Sequence, residues 1–296
     1  MNLTSSLIGY LSAERPVLIA GPTASGKSRL AMEIAAHFGA PVINADALQV
    51  YDDWRVLTAR PSLADEASVK HLLYGHIPGA QSYSVGDWLR DVSPMLKGVP
   101  PIIVGGTGLY FSALTEGLAE IPATPDAIRQ EGDALLAEHG LQALLCALDD
   151  ETSARIDTAN KRRVQRAWEV LQATGRSLAS WQDETGAPLL PFASAQALVL
   201  SAPKQWLTPR IAQRFDLMVK EGLIEEARAN AEAFHPGLAS SKAIGAAEIV
   251  AHVKGQSDLP AVKDAIVIQT RQYAKRQRSW FRGRMANWRW LDAADL

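Results

Sequence analysis

Gly21-Pro22-Thr23-Ala24-Ser25-Gly26-Lys27-Ser28 decides the reading of this chain. It follows the apolar run Pro16-Val17-Leu18-Ile19-Ala20 and leads into the helical pattern Arg29-Leu30-Ala31-Met32-Glu33-Ile34-Ala35-Ala36. Strand, glycine-rich turn and helix start in this order fit G-x-x-x-x-G-K-[ST], the phosphate-binding loop. The glycines let successive backbone N–H groups curl inward around an anion, and the helix N-terminus adds partial positive charge. Lys27 can reach outer phosphate oxygens, and the Ser28 hydroxyl can take a place on Mg2+. The loop indicates that a phosphate binds; it does not say which compound carries it.

Working outward, 296 residues are enough to bury a sizeable core. A chain that is 47% hydrophobic and 21% charged has ordinary globular composition. Cys146 is the one cysteine, so no internal disulfide or thiolate metal cluster can form. Met1 to Arg15 lacks a basic leader pattern, and no run of about 18 apolar residues appears, so a cytoplasmic protein without a membrane partner is expected. The net charge of −2 selects no partner.

Pro41-Val42-Ile43-Asn44-Ala45-Asp46 reads as a second buried strand ending in a carboxylate. In open parallel sheets ligands sit beyond the carboxyl ends of the strands, which places Asp46 near the phosphate loop. There it either takes a proton or holds Mg2+ through water, or else it caps a helix over Ala47–Tyr51. Leu57–Ser62 is a turn-rich loop. Lys70–Pro78 is a short strand with loop ends, whose His71 and His76 lack metal-ligand spacing. Ser84 caps a helix over Val85–Leu96. Pro100-Pro101-Ile102-Ile103-Val104 then runs into Gly105-Gly106-Thr107-Gly108-Leu109-Tyr110-Phe111. Short continuous apolarity fits a central parallel strand, and the glycine turn falls on the same sheet edge as the phosphate loop. The Thr107 hydroxyl either bonds a ligand oxygen or caps the next helix.

After Gly117 the pattern changes. Helices over Asp126–His139, Leu141–Leu148 and Lys161–Thr174, the last ended by Gly175, follow one another with no strand-like run. Gln196–Ser201 returns to a strand. Helices follow over Leu207–Lys220, with Arg210 and Arg214 on one face, then from Leu223 to about Phe234, then one that Ser240–Ala247 leads into, and finally from Ala261 to about Phe281. The expected architecture is α/β: a P-loop NTPase-like parallel sheet core flanked by helices, with an all-helical insertion. Its expected boundaries are 1–118 for the first part of the core, 119–192 for the insertion and 193–296 for the return to the core.

Two basic clusters suggest a partner. In Lys161-Arg162-Arg163-Val164-Gln165-Arg166, cations at a helix N-terminus oppose the macrodipole, costing roughly a few tenths of a kcal/mol each. Between Ala265 and Leu291 lie seven basic residues and no acidic one. Arg271, Lys275, Arg278 and Arg282 form one stripe there, with Tyr273, Trp280, Phe281, Trp288 and Trp290 interleaved. Either cluster alone could be a solvated face; two in one chain point to RNA or DNA.

Five motifs in register resemble the tRNA dimethylallyltransferase family: Gly21–Ser28, Asn44–Tyr51, Gly105–Phe111, Arg166-Ala167-Trp168-Glu169-Val170 with Thr174-Gly175-Arg176, and Thr270–Phe281. The resemblance runs from about residue 15 to 283. It implies transfer of a dimethylallyl group from its diphosphate to N6 of adenosine 37 in tRNAs reading codons that begin with U. It implies a monomer whose partners are dimethylallyl diphosphate and the anticodon stem-loop of tRNA, with Mg2+ assisting departure of diphosphate. On that footing Gly21, Pro22, Thr23, Ala24, Ser25, Gly26, Lys27 and Ser28 hold the donor diphosphate together with Arg214. Asp46 acts as base toward the amine, and Thr107 stands at the reaction centre. Asp46, Ala47, Leu48, Gln49, Thr107, Arg129, Arg162, Arg163, Val164, Gln165, Arg166 and Lys242 are expected against tRNA.

The chain departs from the family pattern at three places. Ala47 stands where the family usually has Ser, and Arg60 of Thr58-Ala59-Arg60-Pro61 where it has Lys. Ala246-Ala247 follow Ile244-Gly245 where it has Tyr and then Lys or Arg, which removes an aromatic and a cation from a region expected near RNA. Three other readings compete. A prenyltransferase acting on free AMP would have no use for the helical insertion and basic C-terminus. A small-molecule kinase could use the same loop. A nucleic-acid binder with a decayed site is opposed by the intact Lys27, Ser28, Asp46 and Thr107.

Overall fold

The apolar runs become strands because both faces of a parallel sheet are covered, so every side chain can be apolar. The computed structural model describes residues 3–296. Two compact units divide the chain, one running to Thr115 and resuming from Leu189 to Leu296, the other Glu116–Pro188.

In the first unit the order is α1 (Leu3–Ile8), β1 (Val17–Ala20), α2 (Lys27–Phe38), β2 (Val42–Asn44), α3 (Leu63–Ser68), β3 (His71–Leu72), α4 (Val85–Val92), β4 (Ile102–Gly105) and α5 (Gly108–Glu116). The second unit holds α6 (Asp126–His139), α7 (Leu141–Leu145), α8 (Asp150–Arg155), α9 (Lys161–Thr174) and α10 (Leu178–Asp183). The first unit then resumes with β5 (Gln196–Ser201), α11 (Lys204–Lys220), α12 (Leu223–Asn230), α13 (Ala246–Val253), α14 (Leu259–Arg284) and β6 (Arg289–Asp292).

The sheet is wholly parallel, in the order β3-β2-β4-β1-β5-β6. Successive side chains of β1 go to opposite faces. Val17 and Ile19 pack with Leu30, Ile34, Leu198, Leu207 and Ile211. Leu18 and Ala20 pack with Trp88, Phe111, Val199, Phe281 and Trp288 on the other side. A third cluster, built on Phe215, Leu223, Ile249 and Ile266, ties together α11 to α14. Among the described residues no helix is long and apolar enough to cross a membrane.

Several elements differ from the sequence expectation. Of the two readings of Asp46, the helix over Ala47–Tyr51 does not form, because Asn44 and Asp46 bend the chain instead: Asp46 N–H donates to Asn44 Oδ1 at 2.8 Å, and Leu48 N–H to Asp46 Oδ1 at 3.0 Å. Such side-chain bonds offer the backbone an alternative to a helix. Ser84 does cap α4, in a capping box with Asp87. That helix passes at Ser93 into a 3-10 turn that contains Pro94, a residue that cannot donate to an α-helical ladder. The short helices α8 and α10 and the edge strand β6 carry too few residues for a period to show. Val164 is fully buried with Leu144 and Trp168, forming the core of the helical unit, so its side chain cannot meet RNA. Phe281 and Trp288 are core residues, Trp288 edge-on to Phe111 of α5 and Phe281 edge-on to Trp280, rather than stacking platforms. Arg278 leaves the basic stripe, donating inward to Ala202 O at 3.3 Å.

Candidate active site

The loop between β1 and α2 owes its shape to backbone that few residues tolerate. Gly26 sits at φ +86° as the N-cap of α2, and Ala24 takes φ 62°. The left-handed region is cheap for Gly26 and strained for Ala24. No side chain caps α2, so its leading N–H groups stay available to an anion. Ser25 Oγ is buried in the same loop without a partner among the described residues. Gly21 is a packing requirement: an added Cβ would lie 2.8 Å from Ser25 Oγ and 3.1 Å from the Leu200 side chain.

Charge gathers around this loop. Lys27 is half-buried, and among the described residues its Nζ donates only to Pro22 O, at 3.5 Å. Burial pushes its ammonium down to about 8; the Asp46 carboxylate opposes that fall, and Arg214 adds to it. Arg214 is half-buried too, and its desolvation lowers the guanidinium against the pull of Asp46 and Glu221. It donates to Thr23 Oγ1 at 2.7 Å and to Thr58 O at 3.4 Å. Lys27, Arg29, Arg210 and Arg214, with a helix N-terminus, face only the Asp46 and Glu221 carboxylates, so the site is short of negative charge, an arrangement that an anionic ligand completes.

These groups line one cavity of about 490 Å3. Thr23, Lys27, Ser28, Asp46 and Arg214 form its polar wall; Leu57, Ile211, Phe215, Met218 and Ile266 form an apolar one. Its size suits a small organic ligand. Thr107 does not line this cavity. Its N–H donates to Ala45 O at 3.1 Å, and its Oγ1 accepts Ala47 N–H at 2.9 Å, so it does not cap α5. Thr107 is thus one residue removed from Asp46, with its hydroxyl proton left to donate.

Leu48 and Gln49 line the cavity, and Gln49 Nε2 is spent on Thr58 O at 2.8 Å and Ala59 O at 2.9 Å. Arg60 is a clamp rather than a ligand group, donating to Tyr51 O at 3.1 Å and Asp52 O at 3.2 Å. Ala246 is fully buried in the third core cluster, while Ala247 and Lys242 are exposed. In the helical unit Arg129, Arg162 and Arg163 are exposed. Arg166 is half-buried, bonded to Thr124 and 3.9 Å from Glu169. Gln165 donates to Asp133 at 2.8 Å. Two residues that the sequence does not single out help to build the site. Asn44 Nδ2 donates to Asp46 O at 2.9 Å and to Leu73 O at 3.0 Å. Gln277, carried by α14, bonds the backbone of both glycine-rich turns. Each lies inside a motif, but nothing in a bare Asn or Gln marks a buried bond to backbone.

The chain matches the IPP transferase family model over residues 49–284 and the isopentenyl transferase model over residues 15–74. It is 59% identical over 277 residues to a tRNA dimethylallyltransferase of Cereibacter sphaeroides (strain ATCC 17025 / ATH 2.4.3), covering 93% of this chain and 95% of the relative. A tRNA dimethylallyltransferase of Ruegeria sp. (strain TM1040) is 56% identical over 282 residues, with 95% and 96% covered. The solved tRNA isopentenylpyrophosphate transferase of Bacillus halodurans is 33% identical, with a TM-score of 0.64 over 95% of this chain and 90% of that one. A eukaryotic dimethylallyltransferase acting on tRNA shares the fold, with a TM-score of 0.78 at 24% identity over 95% of this chain and 74% of that one. Taken with the phosphate loop, the parallel sheet and the cavity at its carboxyl edge, these matches establish that the chain belongs to the IPP transferase family.

Proposed function

We propose that this protein transfers the dimethylallyl group of dimethylallyl diphosphate to N6 of adenosine 37 in tRNAs reading codons that begin with U. The observation that carries this reading is that Lys27, Arg214 and Asp46 face one cavity. The donor diphosphate rests in the Gly21–Ser28 loop against the N–H groups at the start of α2, from Gly26 to Ser28, with Lys27 and Arg214 against its oxygens. The bond from the allylic carbon to the bridging oxygen breaks, and the electron pair leaves with diphosphate. Buried cations and fixed N–H dipoles are most effective where such charge develops. The adenine amine forms the new bond to that carbon. Its lone pair is delocalised into the ring, so Asp46 must orient it and accept the departing proton. Thr107 fixes the backbone beside Asp46 and offers its hydroxyl to the nucleotide or to the bridging oxygen.

The residues present fit Mg2+. Among the described residues no group of three His, Cys, Asp or Glu side chains could hold an ion by itself. Mg2+ ordinarily takes one or two protein oxygens plus substrate phosphates, and Ser28 on the cavity wall supplies one such oxygen. Bound there, it would neutralise charge on the diphosphate.

Adenosine must leave its stack for this chemistry, and a single-stranded anticodon loop lowers that cost. The exposed Arg129, Arg162 and Arg163, with Arg166, Lys242 and the outer face of α14, meet tRNA phosphates. A cytoplasmic monomer follows from the same reading. Labelled dimethylallyl diphosphate should prenylate an anticodon stem-loop with adenosines at 36, 37 and 38, and should not prenylate AMP. Equal labelling of AMP would move the protein to the free-nucleotide class, and phosphate transfer from ATP would make it a kinase. The double variant Arg162→Ala/Arg163→Ala should raise the KM for the stem-loop and flatten its log–log salt dependence by about two, at unchanged donor KM. An unaltered salt slope removes these arginines from the interface.

A further inference from the structure

Three cations of α14, Lys275, Arg276 and Arg282, are exposed. Gln277, in the middle of that run, is only 5% exposed, so it cannot touch a docked RNA. A buried primary amide needs partners on both its atoms. Gln277 finds them on the two turns that build the site. Its Oε1 accepts Thr23 N–H at 2.9 Å, and its Nε2 donates to Gly106 O at 3.0 Å. Only one orientation of the amide satisfies a backbone donor at one end and a backbone acceptor at the other.

The fit is close. A Cβ on Gly106 would lie 2.2 Å from Gln277 Nε2, and one on Gly108 would lie 2.2 Å from the Trp280 ring. The helix is therefore pressed against the Gly105–Gly108 turn, and the glycines there make room for it. Thr23 is held twice, by Gln277 through its N–H and by Arg214 through its hydroxyl. The next residue is Ala24, in left-handed backbone that persists only where its surroundings fix it.

We propose that Gln277 is a positioning residue that holds the phosphate loop and the Thr107 turn in register, so that donor and acceptor elements share one geometry. This rests on the reading of the phosphate loop as the donor site. Loss of the amide frees Thr23 N–H and lets the strained loop relax away from the diphosphate. The RNA-facing cations stay in place.

The test is steady-state kinetics of the full chain with dimethylallyl diphosphate and the stem-loop. Gln277→Met keeps the length of the side chain and removes both bonds; Gln277→Ala serves the same purpose should the Met variant not fold. Either should raise the donor KM about tenfold while the stem-loop KM stays within twofold. A glutamine that only packs would lower the unfolding temperature and move neither KM selectively. Gly106→Ala supplies a second readout, because its methyl displaces the Gln277 amide. Alone it should also raise the donor KM. Combined with Gln277→Ala, where the space is vacated, its added effect should shrink at least threefold, since coupled residues are not additive. Donor KM values within twofold of the unaltered protein, or fully multiplicative effects, overturn the proposal. If the unaltered protein itself fails to transfer label, the functional reading falls instead.

Discussion

Asp46→Asn should lower single-turnover label transfer to the stem-loop by about a thousandfold, within the range that a positioned general base contributes. The substitution suits the local geometry. Asn keeps an oxygen for Leu48 N–H, and the bond from Asp46 N–H to Asn44 Oδ1 involves only backbone on the Asp46 side. The turn therefore survives, and what is lost is a negative charge and a proton acceptor at the cavity wall. Donor KM near neutral pH should hardly rise, because the lost carboxylate had repelled the diphosphate. A second effect separates this from general damage. Asp46 supports the charged form of Lys27, so removing it should move the Lys27 ammonium below its value of about 8. The alkaline limb of donor binding should then shift to lower pH in the variant. Transfer within threefold of the unaltered protein would remove Asp46 from the chemistry.

What the sequence made legible is what local patterns encode. β1, the phosphate loop and α2 show plainly, because an apolar run, fixed glycines and a 3.6-residue period coincide over some twenty positions. The bounds of α6, α9 and β5 match those expected from period and caps, with Gly175 ending α9 in left-handed backbone. The rest depended on contacts distant in sequence. Whether Asp46 caps a helix or faces a cavity is decided by Asn44 beside it and by Thr107, sixty residues on. Arg278 lies on the same helical stripe as Arg271 and Lys275, yet Ala202 O draws it inward. Val164 sits among arginines in the motif, but its own apolarity sends it into the core of the helical unit. A stripe defined by angle alone cannot tell which of its members meets a neighbouring carbonyl.

Lys27→Met should abolish transfer almost completely and yet stabilise the ligand-free protein. The first effect follows from the leaving group: removing one well-aimed charge donor from such a site costs about a hundredfold to a thousandfold in rate. The second follows from burial. The Lys27 pKa falls from 10.5 to about 8 in the folded state. Below about pH 8 the side chain is charged whether folded or not, and the folded protein bears the full cost of its desolvation, on the order of 3 kcal/mol. Between about pH 8 and 10.5 the folded state binds fewer protons than the unfolded one, so stability rises with pH as this cost fades. Above that window Lys27 is neutral in both states and contributes nothing. Methionine carries no charge at any pH. Its unfolding midpoint at pH 7 should therefore lie several degrees above that of the unaltered protein, and the gap should close toward pH 10. Donor binding gives the complementary signature. A diphosphate beside Lys27 restores its proton, so binding near pH 9 should take up most of one proton, seen calorimetrically in buffers of different ionisation enthalpy. The Met variant should take up none from this source. A destabilised Lys27→Met protein, or proton uptake that persists in it, would show that the buried ammonium is neither strained in the empty site nor relieved by the donor.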